Sequence, residues 1–276
     1  MKAAVLGSPI AHSLSPVLHR AAYQALGLSD WTYQAIECDE AGLPALLAGC
    51  GPDWAGLSLT MPLKRAVLPL LDHLEPLAAQ VGAANTVVFT GGLRHGHNTD
   101  VPGMIAALAG AAAPVLPPAP AAVLILGGGA TACSALAAVH GLGAEEAAVA
   151  VRDPARAGDL LAAADRLGMK ITLTPFGGYP DPVPDLLIST VPSGAADTYA
   201  QRIAGRALAP QCLLDVVYHP WPTPLATAAE QAGVAVAGGF ALLLHQAAGQ
   251  VELMTGAPAP LEAMRAAGQA ALASRG

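Results

Sequence analysis

Residues 123–126 are four consecutive aliphatics, Val-Leu-Ile-Leu, and they run directly into Gly127-Gly128-Gly129 and then into an alanine-rich stretch opened by Ala130-Thr-Ala132. A short apolar run, a turn of the form G-x-G-x-x-A and a small-residue helix, in that order, make the strand–turn–helix unit that receives the pyrophosphate of a dinucleotide. The first glycine permits the tight turn and the second lets backbone approach a phosphate. Small Ala132 allows close packing of helix on strand, with the N–H groups of the helix start turned to the anion. The next candidate strand ends in Ala150-Val151-Arg152-Asp153-Pro154-Ala155-Arg156, where a residue reading the ribose is expected. An arginine there pairs with the 2′-phosphate of NADP, whereas an acid accepts from the 2′-OH of NAD. Arg152 stands first and Arg156 one turn on, which favours NADP. Asp153 keeps NAD open, or else caps the following helix with Pro154 in its first position.

Along the whole chain short apolar runs alternate with longer alanine-rich amphipathic stretches, the pattern of an α/β fold with a mainly parallel sheet. Early strands are expected at 3–6, 31–37, 56–59 and 86–89. Ser15-Pro16 reads as an N-cap with proline at the first helical position, opening a helix that Gly27 stops. Gly91-Gly92 joins the strand at 86–89 to another at 93–97 as a β-hairpin, with Asp100 near the helix start that follows. The proline- and alanine-rich stretch 110–120 has linker composition and marks the approach to a second α/β unit. That unit has further strands at 123–126, 147–151, 171–173, 186–189, 213–217 and 234–236. Gly238-Gly239 then leads into an apolar helix from Phe240 to about Met254, and a last helix starts at Leu261.

The length, 276 residues at 54% apolar, suits one large or two modest domains. A net charge of −7 with 13 scattered basic residues provides no basic stripe, which argues against a nucleic-acid partner. Cys38, Cys50, Cys133 and Cys212 form no C-x-x-C pair and read as reduced core thiols of a cytoplasmic protein. No Asp, Glu, Lys or Arg occurs between Asp100 and Glu145, yet prolines and glycines break the stretch below the ~20 apolar residues of a spanning helix. No membrane association is therefore expected, and the N-terminus does not read as a signal peptide. His95 and His97 share a strand face without a third ligand at metal-binding spacing, so they are read as ordinary surface or rim residues and no metal is expected.

Two further stretches carry chemistry. Ser58-Leu-Thr60-Met-Pro-Leu-Lys64 holds a lysine, and Gly96-His-Asn98-Thr99-Asp100-Val-Pro-Gly103 an aspartate, each flanked by hydroxyl or amide residues. Such a pair can handle a proton on a polyhydroxylated substrate while a dinucleotide handles the hydride. Together with Gly7-Ser-Pro-Ile-Ala-His-Ser13-Leu-Ser15-Pro16 and Gly82-Ala-Ala-Asn85-Thr86, these blocks resemble those of the shikimate dehydrogenase family. Asp215-Val-Val-Tyr218, Pro222-Thr-Pro-Leu225 and the stretch from Gly239 to Gln246-Ala-Ala248 extend the similarity almost to the C-terminus.

The resemblance implies an open α/β substrate-binding and catalytic domain of residues 1–101 completed by 239–276. A Rossmann-type NADP-binding domain, residues 102–238, is inserted in it. Lys64 and Asp100 become the catalytic pair. Ser13, Ser15, Thr60, Asn85, Tyr218 and Gln246 become substrate contacts, the two serines at the substrate carboxylate. Gly127, Gly128, Gly129, Ala130, Arg152, Arg156 and Gly239 are assigned to the cofactor. Trp221 reads equally as a core aromatic or a substrate contact. Three positions depart from the family pattern: Ser58 stands where asparagine is usual, Val151 and Asp153 flank Arg152 in place of the outer residues of an N-R-T block, and Ala241 replaces a frequent glycine. The implied activity is NADP-dependent reduction of 3-dehydroshikimate to shikimate by a monomer or homodimer. The alternatives are an NAD-dependent quinate/shikimate dehydrogenase, against which the two serines stand, and a non-catalytic dinucleotide-binding regulatory module.

Overall fold

The computed structural model describes residues 1–112, 119–178 and 183–275. Most of the linker-like stretch at 110–120 lies outside them. The chain divides into two compact units, Met1–Thr99 with Leu244–Gly276, and Asp100–Leu243.

The first unit opens with β1 (Lys2–Gly7), α1 (Ser15–Ala25), β2 (Thr32–Glu37), α2 (Leu43–Ala48), β3 (Trp54–Leu59) and α3 (Leu63–Ala66), and continues with β4 (His73–Leu74), α4 (Pro76–Val81), β5 (Thr86–Thr90) and β6 (Leu93–His97). Its six strands lie in the order β2-β1-β3-β5-β6-β4. Pairing is parallel from β2 to β3 and antiparallel from β3 through β5 to β6, so this sheet is mixed. The hairpin turns at Gly91 and Gly92, both at positive φ, a conformation that favours glycine. Ser15 is the first helical residue of α1 and not its cap. The N-cap position is Leu14, no side chain caps the helix, and the Ser15 N–H is instead met by the Ser13 hydroxyl at 3.2 Å. Gly27, at φ 70°, lies just beyond the helix end.

The second unit comprises α5 (Asp100–Ala112), β7 (Val123–Leu126), α6 (Ala130–Gly141), β8 (Glu146–Val151), α7 (Gly158–Leu167), β9 (Lys170–Pro175), β10 (Leu186–Ser189), α8 (Asp197–Ala204), β11 (Cys212–Asp215), α9 (Pro224–Gln231) and β12 (Ala235–Gly238). Its sheet is wholly parallel, in the order β12-β11-β10-β7-β8-β9. Counting its strands from β7, this is 3-2-1-4-5-6, the doubly wound dinucleotide-binding order, with its switch point between β7 and β10. β7, β10 and β11 are buried at every position, and their sequences, Val-Leu-Ile-Leu, Leu-Leu-Ile-Ser and Cys-Leu-Leu-Asp, accordingly show no polar alternation.

The chain then enters α10 (Gly239–Thr255), which begins in the second unit and ends in the first, and finishes with α11 (Leu261–Ala273). Gly56 on β3 allows α10 onto the first sheet. A Cβ there would stand 2.6 Å from the Val87 carbonyl oxygen and 2.9 Å from the Met254 side chain. Among the described residues no helix is long and apolar enough to cross a membrane.

Candidate active site

The four N-terminal blocks lie after β1, after β3, at the start of β5 and after β6, the last of them running into α5 at Asp100. Glu37, at the end of β2, accepts from the Ser8 hydroxyl at 2.6 Å and from the Ile10 N–H at 3.0 Å. It shapes the loop that leads to Ser13 and Ser15. Gly7 allows the close approach of Thr60, whose methyl and the Met61 carbonyl occupy the place of any side chain at position 7. Thr60 leaves β3 with its N–H on the Leu6 carbonyl at 2.9 Å. Buried Leu63 anchors the single turn of α3, on which Lys64 stands half-buried, its own carbonyl accepting from the Ala84 N–H at 2.8 Å.

Asn85 is the hub of a buried polar cluster. Its Oδ1 accepts from the Thr99 N–H at 2.8 Å and from the Thr86 hydroxyl at 2.9 Å. Its Nδ2 donates to the Thr99 hydroxyl at 2.9 Å and to Gln246 Oε1 at 3.3 Å. Because a backbone N–H only donates, the Thr99 contact settles which way the amide faces. Asn98 donates to the Ala83 carbonyl at 2.9 Å, and Asp100, buried at the first position of α5, follows directly along the chain.

Ser58 does not reach outward. At 3% exposure its hydroxyl accepts from the Tyr33 hydroxyl at 2.6 Å and donates to Gln250 Oε1 at 2.8 Å. His19, stacked on Tyr33 with centroids 3.9 Å apart, places Nε2 at 3.3 Å from the same Gln250 oxygen. Burial pushes the His19 imidazole down to about 3, against the opposing effect of its Gln250 hydrogen bond, so the ring is neutral. Sequence reasoning missed Tyr33, His19, Glu37 and Gln250. For Gln250 a signal existed: it lies one helical turn beyond Gln246, and Met254 one turn beyond that, on one stripe of α10 facing the alternate residues Ser58 and Gly56 of β3.

In the second unit Gly127 follows β7 at φ 109°, and a Cβ there would meet Thr190 Oγ1 at 2.5 Å across the switch point. Gly129 stands at the N-cap of α6, no side chain caps that helix, and space around Gly129 is open. A glycine turn with no room for a side chain at Gly127, leading to an uncapped helix start at Ala130, fits a dinucleotide pyrophosphate. Asp153 caps the 3₁₀ turn Pro154–Arg156, its Oδ1 accepting from the Ala155 N–H at 3.0 Å, while Arg152 and Arg156 are exposed beside it. Tyr218 is half-buried on the loop after β11. That loop is clasped by Asp215, which accepts from the Thr223 hydroxyl at 2.6 Å and from the Val217 N–H at 3.2 Å. Burial raises the Asp215 carboxyl, these hydrogen bonds opposing the shift. Trp221 is not a core aromatic: it is 40% exposed, with its ring over Gly238. Gly239 packs on the Val216 and Val217 backbone too closely to admit a side chain.

His95 stacks on His73 of neighbouring β4, centroids 4.9 Å apart. Burial lowers the His97 imidazole, Glu75 opposing the shift. Among the described residues no group of three or more His, Cys, Asp or Glu is placed to hold a metal ion.

A doubly wound dinucleotide unit in one chain with a second α/β unit, the latter bearing a lysine and a buried amide and hydroxyl cluster, defines a nicotinamide-dependent oxidoreductase of small polar substrates. Residues 5–87 match the family model described as shikimate dehydrogenase substrate binding domain, and residues 239–267 the shikimate 5'-dehydrogenase C-terminal domain. Shikimate dehydrogenase (NADP(+)) of Citrifermentans bemidjiense is 38% identical, the alignment covering 99% of this chain and 96% of that one. The crystal structure of Mycobacterium tuberculosis shikimate dehydrogenase superposes with TM-score 0.85 at 45% identity, covering 98% of this chain and 99% of that one. That of Thermus thermophilus shikimate 5-dehydrogenase, in complex with NADP(H) and shikimate, superposes with TM-score 0.83 at 32% identity, covering 99% and 100%. The chain belongs to the shikimate dehydrogenase family.

Proposed function

We propose that this protein is an NADP-dependent dehydrogenase interconverting 3-dehydroshikimate and shikimate. The observation that carries the reading is the near end-to-end match to a relative solved with both NADP(H) and shikimate. The buried cluster that fixes the Asn85 amide supports it.

Residues 1–101 with 239–276 bind the substrate and residues 102–238 the nucleotide. Ser13 and Ser15 receive the carboxylate, while Thr60, Asn85, Tyr218 and Gln246 hold the ring and its hydroxyls. Gly127, Gly128, Gly129, Ala130 and Gly239 would seat the cofactor, which when bound supplies or removes the hydride. Arg152 and Arg156 meet its 2′-phosphate, a bidentate pairing suited to guanidinium. The engagement of Asp153 with its own turn favours this over a carboxylate reading a 2′-OH. In the reductive direction oxygen of the ring ketone gains negative charge. The Lys64 ammonium stabilises that charge and gives up the proton, and Asp100 orients the lysine. The enzyme works in the cytoplasm as a monomer or homodimer. All four cysteines are free thiols, in keeping with a reducing compartment.

The test is a parallel initial-rate assay with shikimate and quinate. Turnover of shikimate with little of quinate is the expected result. Comparable rates would move the assignment to the quinate/shikimate branch, and nucleotide binding with no turnover to a non-catalytic module.

A further inference from the structure

Gln250 is 1% exposed and makes four hydrogen bonds. Its Nε2 donates to the Asn85 carbonyl at 3.2 Å and to the Thr86 hydroxyl at 3.1 Å. A carbonyl oxygen only accepts, so this contact fixes the amide orientation and makes Oε1 the atom that faces Ser58 and His19. The direction of the buried hydroxyl chain follows: Tyr33 donates to Ser58 and Ser58 to Gln250. On the other side the Thr86 hydroxyl, accepting from Gln250, directs its proton to Asn85 Oδ1. Asn85 Nδ2 therefore faces Gln246 Oε1, and the Gln246 NH2 group is turned the opposite way. The carboxamide of Gln250 thus acts, through the Thr86 hydroxyl, in the same sense as the Thr99 N–H on the Asn85 amide, and through Asn85 on that of Gln246.

Position 58 is also where the resembling family block carries asparagine. Such a side chain would add a carboxamide where that of Gln250 already stands, 2.8 Å from the Ser58 hydroxyl. We propose that Ser58 and Gln250 act as one unit that takes the place of that asparagine, and that Gln250 is a positioning residue for Asn85 and Gln246. This rests on the reading of Asn85 and Gln246 as substrate contacts.

The test compares wild type, Ser58→Asn, Gln250→Ala and the double variant by steady-state kinetics and thermal unfolding. Gln250→Ala, which leaves buried partners unpaired, and Ser58→Asn, which crowds the Gln250 carboxamide, are each expected to raise the KM for shikimate about tenfold with a smaller change in kcat. The double variant, with one carboxamide restored to the site, is expected to return to within about threefold of the wild-type KM, the non-additivity of coupled neighbours. A double variant as impaired as the worse single, or single variants with unchanged KM, overturns the proposal. Should either single variant fail to fold, Tyr33→Phe keeps the ring on His19 and removes only the hydroxyl. A KM raised about threefold at unchanged kcat is then expected, one lost neutral hydrogen bond, and an unchanged KM overturns the proposal. If the wild type itself does not turn over shikimate, the functional reading fails, while a double variant melting above both singles would still support the unit and one melting below both would overturn it.

Discussion

Ser58 donates its hydroxyl proton to the side chain of Gln250, 192 positions further along the chain, at 2.8 Å. The bond ties β3 to α10 beside the two amides assigned to the substrate, and it is satisfied entirely within the protein. Ser58 is therefore no shortened substrate contact but part of the wall behind one.

Lys64→Ala is expected to lower kcat at least a hundredfold and to change the KM for shikimate only a few-fold, the range a positioned proton donor contributes. Steady-state kinetics at saturating NADP decide it. A normal kcat would remove Lys64 from the chemical step.

Arg152→Ala is expected to raise the KM for NADP about tenfold or more while leaving that for NAD within about twofold, because the lost pairing involves only the 2′-phosphate. Arg156→Ala is expected to act in the same direction and less strongly. Equal losses with both nucleotides would assign the arginine to packing instead.

His19 links stability to pH. Its folded value, about 3, lies below the ordinary 6.5. Between these values the unfolded chain binds the proton and the folded chain does not, so stability falls as pH falls through that window. The slope from this residue is about 1.4 kcal/mol per pH unit at most. His19→Phe, which keeps a ring against Tyr33, is expected to lose less stability than wild type between pH 7 and pH 5 in urea titrations. Parallel losses in the two proteins would contradict the account.

Thr223→Val removes the N-cap of α9, where the hydroxyl accepts from the Ala226 N–H at 3.0 Å, and takes a donor from buried Asp215. A loss of about 2–3 kcal/mol is expected, a cap plus a hydrogen bond to a charged group. Thr223→Ser, keeping both bonds, is expected to lose under about 1 kcal/mol by denaturant titration.

Legibility followed the range of the interactions. The Val-Leu-Ile-Leu strand, the glycine turn after it and the parallel sheet were readable because buried parallel strands are unbroken aliphatic runs and the turn needs glycine where φ is 109°. β4 was not, since two residues, His73 and Leu74, carry no periodicity. The Ser15-Pro16 signal located α1 but set its start one residue late, since Leu14 holds the N-cap position and Ser15 is already helical. Asn85 and Gln246 entered through family blocks. Tyr33, His19 and Gln250 did not, because a buried tyrosine or glutamine looks like any other in a chain until the fold supplies its partners. Gln250 was nearest to being readable, one helical turn from Gln246.

The most direct test of the central claim is the initial rate of nicotinamide reduction by the purified protein with shikimate, run in parallel with NADP and NAD. Rapid reduction of NADP with little of NAD is the predicted result. A preference for NAD, or no reduction of either by protein that binds nucleotide, would contradict it.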